Sequence, residues 1–141
     1  MKKLYPLFLL TLLLSGCSKD FLKRYDKRII GTWELYDVDR RGLGGDLDRL
    51  GFTGGSFVFA EDGRLTWTNP ETGAVYTGVW DIDRIDNTEG SAIRIMNIHV
   101  TNFSTQETRS ELFEEMQFTG TDRFKAFIYS GLHRYVFRFR R

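Results

Sequence analysis

The segment from Leu132 to Arg141 alternates with a period of two, placing Tyr135, Phe137 and Phe139 on one side and Arg134, Arg138 and Arg140 on the other. That spacing suits an extended strand with one buried and one wet face, and it breaks the periodicity an amphipathic helix needs. A strand bearing such rings needs other strands against it to keep them from water. The rest of the chain supplies them. From Ile29 onward, short runs of β-branched and aromatic residues are punctuated by Gly, Asn and Asp, which predicts eight strands: Ile29 to Val38, Ser56 to Ala60, Arg64 to Thr68, Ala74 to Ile82, Ser91 to Val100, Glu111 to Phe118, Arg123 to Tyr129 and Leu132 to Arg141.

The connections are mostly turns. Asp62-Gly63 supplies the positive φ of a tight hairpin, and Asn69-Pro70-Glu71-Thr72-Gly73, Thr119-Gly120-Thr121-Asp122 and Ser130-Gly131 have turn composition. Asp83 to Gly90 and the stretch between Val100 and Glu111 are expected to be polar loops. Short sequential strands joined this way predict an all-β, antiparallel up-and-down barrel, because closure removes exposed edges. Alternation places Trp33, Leu35, Phe57, Phe59, Leu65, Trp67, Tyr76, Trp80, Ile93, Ile95, Met116, Phe118, Phe124, Ile128, Tyr135, Phe137 and Phe139 inside. An eight-stranded barrel is either filled by its own side chains or holds one small ligand, and both options stay open here. Trp33, Phe57, Phe59, Trp67, Tyr76, Trp80, Phe118, Tyr135 and Phe137 are the expected walls of such a ligand cavity.

The N-terminus carries a different message. Lys2 and Lys3 precede an apolar run from Leu4 to Leu14, followed by Ser15-Gly16-Cys17, so residues 1–16 are expected to be a signal peptide. The run is too short to cross a hydrocarbon core about 30 Å thick. Leu14-Ser15-Gly16-Cys17 resembles the lipobox of bacterial lipoproteins, which implies cleavage before Cys17 and attachment of diacylglycerol, with acyl chains such as palmitate, to its thiol. Cys17 is the chain's one cysteine, so the mature protein has no internal disulfide. Residues 17–28 form the expected lipidated tether, with Phe21, Leu22, Tyr25 and Ile29 at the spacing of a short helix. Its five basic residues against two acidic ones suit either anionic lipid headgroups or an ordinary solvated face.

Removing 16 of 141 residues leaves 125, enough for one domain, with the barrel spanning 29–141. Losing Lys2 and Lys3 reduces 20 Lys and Arg to 18 against 19 Asp and Glu, a balance of −1 that gives nucleic acid no electrostatic foothold.

Ile30-Gly31-Thr32-Trp33-Glu34-Leu35 resembles the Gly-x-Trp signature that opens lipocalins and the lipocalin-like lipoproteins of diderm bacteria. The resemblance covers residues 29–141, although the domain is shorter than a typical lipocalin and lacks that family's long C-terminal helix. It implies that Gly31, Trp33 and an arginine of the last strand close one end of the barrel. Strict period two assigns that arginine as Arg141, with Arg140 as the alternative through a bulge. It also implies that the Gly-rich stretch from Asp39 to Gly55 is a lid over the mouth; a plain surface loop is the other reading.

Asp81, Asp83, Asp86 and Glu89 lack the spacing and the turn glycine of a calcium loop, and His99 and His133 have no ligand or catalytic partner at suitable spacing. No metal, cofactor or catalytic residue is therefore expected. The sequence points to a non-catalytic lipoprotein of the cell envelope. It is expected to be held by diacylglycerol on Cys17, to the outer membrane in preference to the inner, with its domain facing the periplasm or the exterior. Its expected partner is a small apolar or amphipathic ligand; a packed-core module meeting an envelope protein or glycan, or acting as an inhibitor, is the alternative.

Overall fold

Residues 24–86, 88 and 90–141 are described by the computed structural model. Among them the chain forms a short helix α1 (Tyr25–Arg28), then β1 (Gly31–Gly42), a 3-10 turn (Leu47–Arg49), β2 (Gly55–Phe59), β3 (Arg64–Thr68), β4 (Val75–Asp86), β5 (Ala92–Asn102), β6 (Glu107–Phe113), β7 (Glu115–Phe118), β8 (Arg123–Ser130) and β9 (His133–Arg140). All pairings are antiparallel, in the order β6-β5-β4-β3-β2-β1-β9-β8-β7, a nearly closed up-and-down barrel. No helix among the described residues is long and apolar enough to cross a membrane.

There are nine strands rather than eight because the expected strand Glu111 to Phe118 breaks at Glu114. Its first part pairs with β5 and its second with β8, so β6 and β7 stand at opposite ends of the order while adjoining in sequence. Glu114 N–H donates to the Phe127 carbonyl at 2.9 Å. One continuous segment thereby switches partner and draws the sheet into a ring.

Other boundaries also move. β1 runs on to Gly42 because Val38 to Gly42 pair with Phe137 to His133, and β4 continues to Asp86 against Ala92. The stretch expected as a polar loop after Val100 is instead a ladder, with Thr101 opposite Thr108, turned at Gln106 with φ +60°. β5 takes the opposite phase to the one expected: Met96, Ile98 and Val100 are buried, whereas Ile93 is 38% exposed and Ile95 half-buried. Both faces of that strand are aliphatic, so alternation alone does not choose between them. Trp80 opposite Ile98 and Ile82 opposite Met96 do, because Trp80 must point inward.

The closed end is built on Trp33, which is fully buried, donates from Nε1 to the Ile29 carbonyl at 2.6 Å, and meets Phe124 edge to face at 4.8 Å. The Arg141 guanidinium lies 4.5 Å from the Trp33 ring centroid and donates to the Thr121 carbonyl at 2.8 Å and the Ile30 carbonyl at 3.3 Å. Gly31, at φ +120°, lies beneath it in a backbone conformation that L side chains rarely adopt. Arg140 points outward to Glu34 at 2.8 Å and over Tyr36. The irregularity in this pairing falls in β1, between Leu35 and Asp37, so β9 keeps its period of two through to Arg141.

Trp33→Ala is expected to lower stability by about 3–5 kcal/mol, measured as a denaturant midpoint. In a background with Trp67 and Trp80 replaced by Phe, Arg141→Gln should shift Trp33 emission and remove about 0.5–1 kcal/mol. Arg140→Gln should leave the emission unchanged.

Candidate functional site

The expected cavity walls come together in one aromatic interior. Trp33, Phe57, Phe59, Trp67, Tyr76, Trp80, Tyr135 and Phe137 are buried, and Phe118 is half-buried near the closed end. They meet each other and further rings: Phe57 contacts Phe139 at 5.5 Å, Phe59 contacts Trp80 at 5.6 Å, Phe113 contacts Phe137 at 4.9 Å, and Phe124 stacks on Phe139 at 4.3 Å. Such pairs contribute beyond the area they bury, which favours rings on rings over a space left for a ligand. The walls therefore frame side chains of the protein itself.

The end opposite Trp33 is different. The Gly-rich stretch is shorter than expected, since β1 takes up its first part, and residues 43–54 fold across the barrel mouth. Phe52 drops from it into the interior, fully buried, edge to face with Phe57 at 5.3 Å and Trp67 at 5.0 Å. Hydrogen bonds pin the loop along its length. Arg40 Nη1 donates to the Gly44 and Gly45 carbonyls, Tyr135 Oη to the Asp46 carbonyl at 3.1 Å, and Trp67 Nε1 to the Gly54 carbonyl at 3.0 Å. At Gly45 (φ +83°) a Cβ would stand 2.5 Å from His133 Nε2, so only glycine lets the loop pass so close. The loop is held down by a buried plug.

The inner face of β6 is polar at this end. Glu107, Arg109 and Glu111 follow one another at period two before Phe113 restores the apolar wall. Arg109 donates to Glu107 Oε1 at 2.7 Å and to the Gly51 carbonyl at 3.1 Å, and lies over Trp67 at 5.3 Å. Tyr76 Oη donates to Glu107 Oε2 at 2.5 Å. That bond and Arg109 hold the Glu107 carboxyl below its usual range, while the same bond pushes the Tyr76 hydroxyl up. Glu111 accepts from the Gly51 N–H at 2.8 Å, yet burial raises its pKa above the usual glutamate range. Desolvation of the charged form outweighs the stabilising N–H donors there.

Glu111 borders a concavity of about 550 Å³ between the loop and strands β6, β8 and β9, lined also by Arg49, Leu50, Ile128, His133 and Tyr135. Leu50, Ile128 and the Tyr135 ring supply apolar surface; Arg49, His133 and Glu111 supply polar groups. A small molecule with an apolar body and a polar head fits this lining. Of these residues, the sequence places Tyr135 in the expected cavity wall, Ile128 inside the barrel and Arg49 and Leu50 in the expected lid, weighs His133 only as a metal or catalytic group, and gives Glu111 only as the start of a strand. The available signals were the polar period-two triplet Glu107, Arg109, Glu111 and the single aromatic Phe52 between Gly51 and Gly54.

The remaining expectations are spread out. Asp81 and Asp83 share the outward face of β4, Asp86 pairs with Arg84 at 2.7 Å, and Glu89 and Cys17 lie outside the described residues. His99 Nδ1 shares a hydrogen bond with Ser110 Oγ at 2.6 Å on the barrel exterior, on a different strand from His133.

Phe52→Ala should lower stability by about 3 kcal/mol, the low end for truncating a buried phenylalanine, and redshift Trp67 emission as water reaches its ring. Glu111 makes a pH prediction. With a folded pKa above the unfolded value of about 4.3, its contribution is most favourable below that value and is lost as pH rises through the folded pKa. Glu111→Gln keeps an acceptor for the Gly51 N–H without the charge. The variant should match wild type at acid pH and exceed its thermal midpoint at neutral pH.

Compared with known proteins, the chain matches no family model, no curated protein and no solved structure, so fold and site rest here on its own residues.

Proposed function

We propose that this chain is a non-catalytic lipoprotein of the diderm cell envelope, lipid-anchored through Cys17, whose lipocalin-like barrel binds a small amphipathic ligand at its mouth. The reading of the anchor rests on the charged, apolar and small-residue order that ends at Cys17. The lipocalin-like reading rests on Gly31-Thr32-Trp33 opening the first strand and on the Arg141–Trp33 stack.

The observation that carries the ligand reading is the mouth concavity with its mixed lining. A deep apolar chain has no room among the ring contacts of the interior, so the ligand sits at the rim. Its body lies against Leu50, Ile128 and Tyr135, and its head reaches Arg49, His133 and Glu111. The same interior packing supports a second reading, a filled barrel that meets an envelope protein or glycan through its surface.

Native mass spectrometry of the full chain, extracted from its own membrane in neutral detergent, separates these readings. The expected result is a non-covalent small-molecule adduct that Arg49→Glu, an exposed loop substitution, removes. A protein without an adduct, or an adduct indifferent to Arg49→Glu, would favour the packed-core reading. For the anchor, Cys17→Ser should abolish labelling by a fatty-acid probe and leave the precursor unprocessed; persistent label would end that assignment.

A further inference from the structure

At the closed end, three guanidinium groups converge beside two carboxylates among the described residues. Arg84 on β4 stands directly opposite Arg94 on β5, and like charges so paired across strands repel. Arg24, at the start of α1, completes the group: with Tyr25, Asp26 and Ile82 the three arginines line a concavity of about 480 Å³. Arg24 reaches Asp26 at 3.3 Å and Arg84 reaches Asp86 at 2.7 Å, both largely in solvent. Arg94 is half-buried, lies 5.0 Å from the centroid of the Tyr25 ring, and has no carboxylate within 4.0 Å among the described residues. Its neighbours at this end differ. Arg28 donates to the Gly120 carbonyl at 2.9 Å and Arg141 to those of Ile30 and Thr121, whereas no hydrogen bond joins the Arg94 guanidinium to an acceptor among the described residues.

A half-buried cation whose donors meet no acceptor among the described residues, held against a second cation, is more stable with an anion between them. We propose that Arg24, Arg84 and Arg94 form a binding site for a phosphate group. Each guanidinium is a rigid fork that meets two oxygens side by side. A planar carboxylate is served by one such fork, whereas the oxygens of a tetrahedral phosphate offer edges to several. The floor of Tyr25 and Ile82 adds an apolar surface beside the charge, which suits the glycerol of a phospholipid headgroup. Placement agrees with that source. Cys17 is seven positions before Arg24, a contour of at most ~25 Å, so a lipid-anchored chain holds this end against the headgroups. The phosphate site stands on the described residues; its lipid source rests on the anchor reading.

The test uses the full chain in neutral detergent at constant ionic strength, with the arginine Nε–Hε resonances followed by NMR during titration with inorganic phosphate and, separately, with dihexanoylphosphatidylglycerol. The Arg94 resonance should shift with at least one probe, and Arg94→Gln should weaken that binding by about tenfold or more while leaving Trp33 emission unchanged. Tighter binding of the phosphatidylglycerol assigns the site to a lipid headgroup, and equal or tighter binding of inorganic phosphate assigns it to the free ion. No shift with either probe, or binding that Arg94→Gln leaves intact, overturns the site. None of these readouts depends on acylation of Cys17, so failure of the anchor and failure of the site are separately visible.

Discussion

The pairing of β1 with β9 is the contact on which the barrel depends. It joins the two ends of the domain, with Glu34 opposite Arg140 and Gly42 opposite His133, and so converts a hairpin meander into a ring. Without it two long strands would show water a row of unpaired N–H and C=O groups and the aromatic face of β9 would be open. Trp33 and Arg141 come together as a result. The arginine closes over the indole because β9 runs down beside β1 to the level at which β1 begins. Such contacts between distant parts of the chain form only after long loops have closed, so local strand preference cannot hold them alone.

Closure also determines where a ligand has room. Nine strands of moderate length enclose a narrow interior, and this chain fills it with Phe and Trp rings, many of them edge to face, and with Met and aliphatic side chains. Space and polarity are therefore displaced to the two ends. At the mouth, the polar inner face of β6 and the loop plugged by Phe52 border a mixed concavity; at the closed end, arginines collect around Tyr25 where β4 and β5 run past the rim. The two ends have different chemistry. One offers apolar walls with a half-buried carboxyl, and the other offers three guanidinium groups against two carboxylates among the described residues.

Much of this was legible in the residues. Strong period-two alternation with charge on one side, as in β9, indicates a strand and its inward face, and Asp62-Gly63 indicates a hairpin. Arg141 follows from the same alternation, because β9 carries no bulge. Legibility stops where alternation is ambiguous. In β5, Ile93 and Ile95 compete with Met96, Ile98 and Val100, and the strand reads equally well in either phase until Trp80 takes its place opposite Ile98. The mouth was hard to read for a related reason: Glu107 and Arg109 fall in what looks like a solvated polar connection, and Glu111 at the head of an expected strand, until pairing with β5 turns all three toward the barrel.

The order of short alternating runs and turn residues was enough to specify an all-β meander and the aromatic character of its interior, because side-chain period and turn chemistry are local properties of the backbone. The break at Glu114 that makes nine strands, the phase of β5, the seat of Phe52 between Phe57 and Trp67, and the meeting of Arg84, Arg94 and Arg24 are not local. Each depends on which strand lies beside which and at what register. Those relations are set by many weak contacts between residues far apart in the chain, and they exist only once the ring has closed.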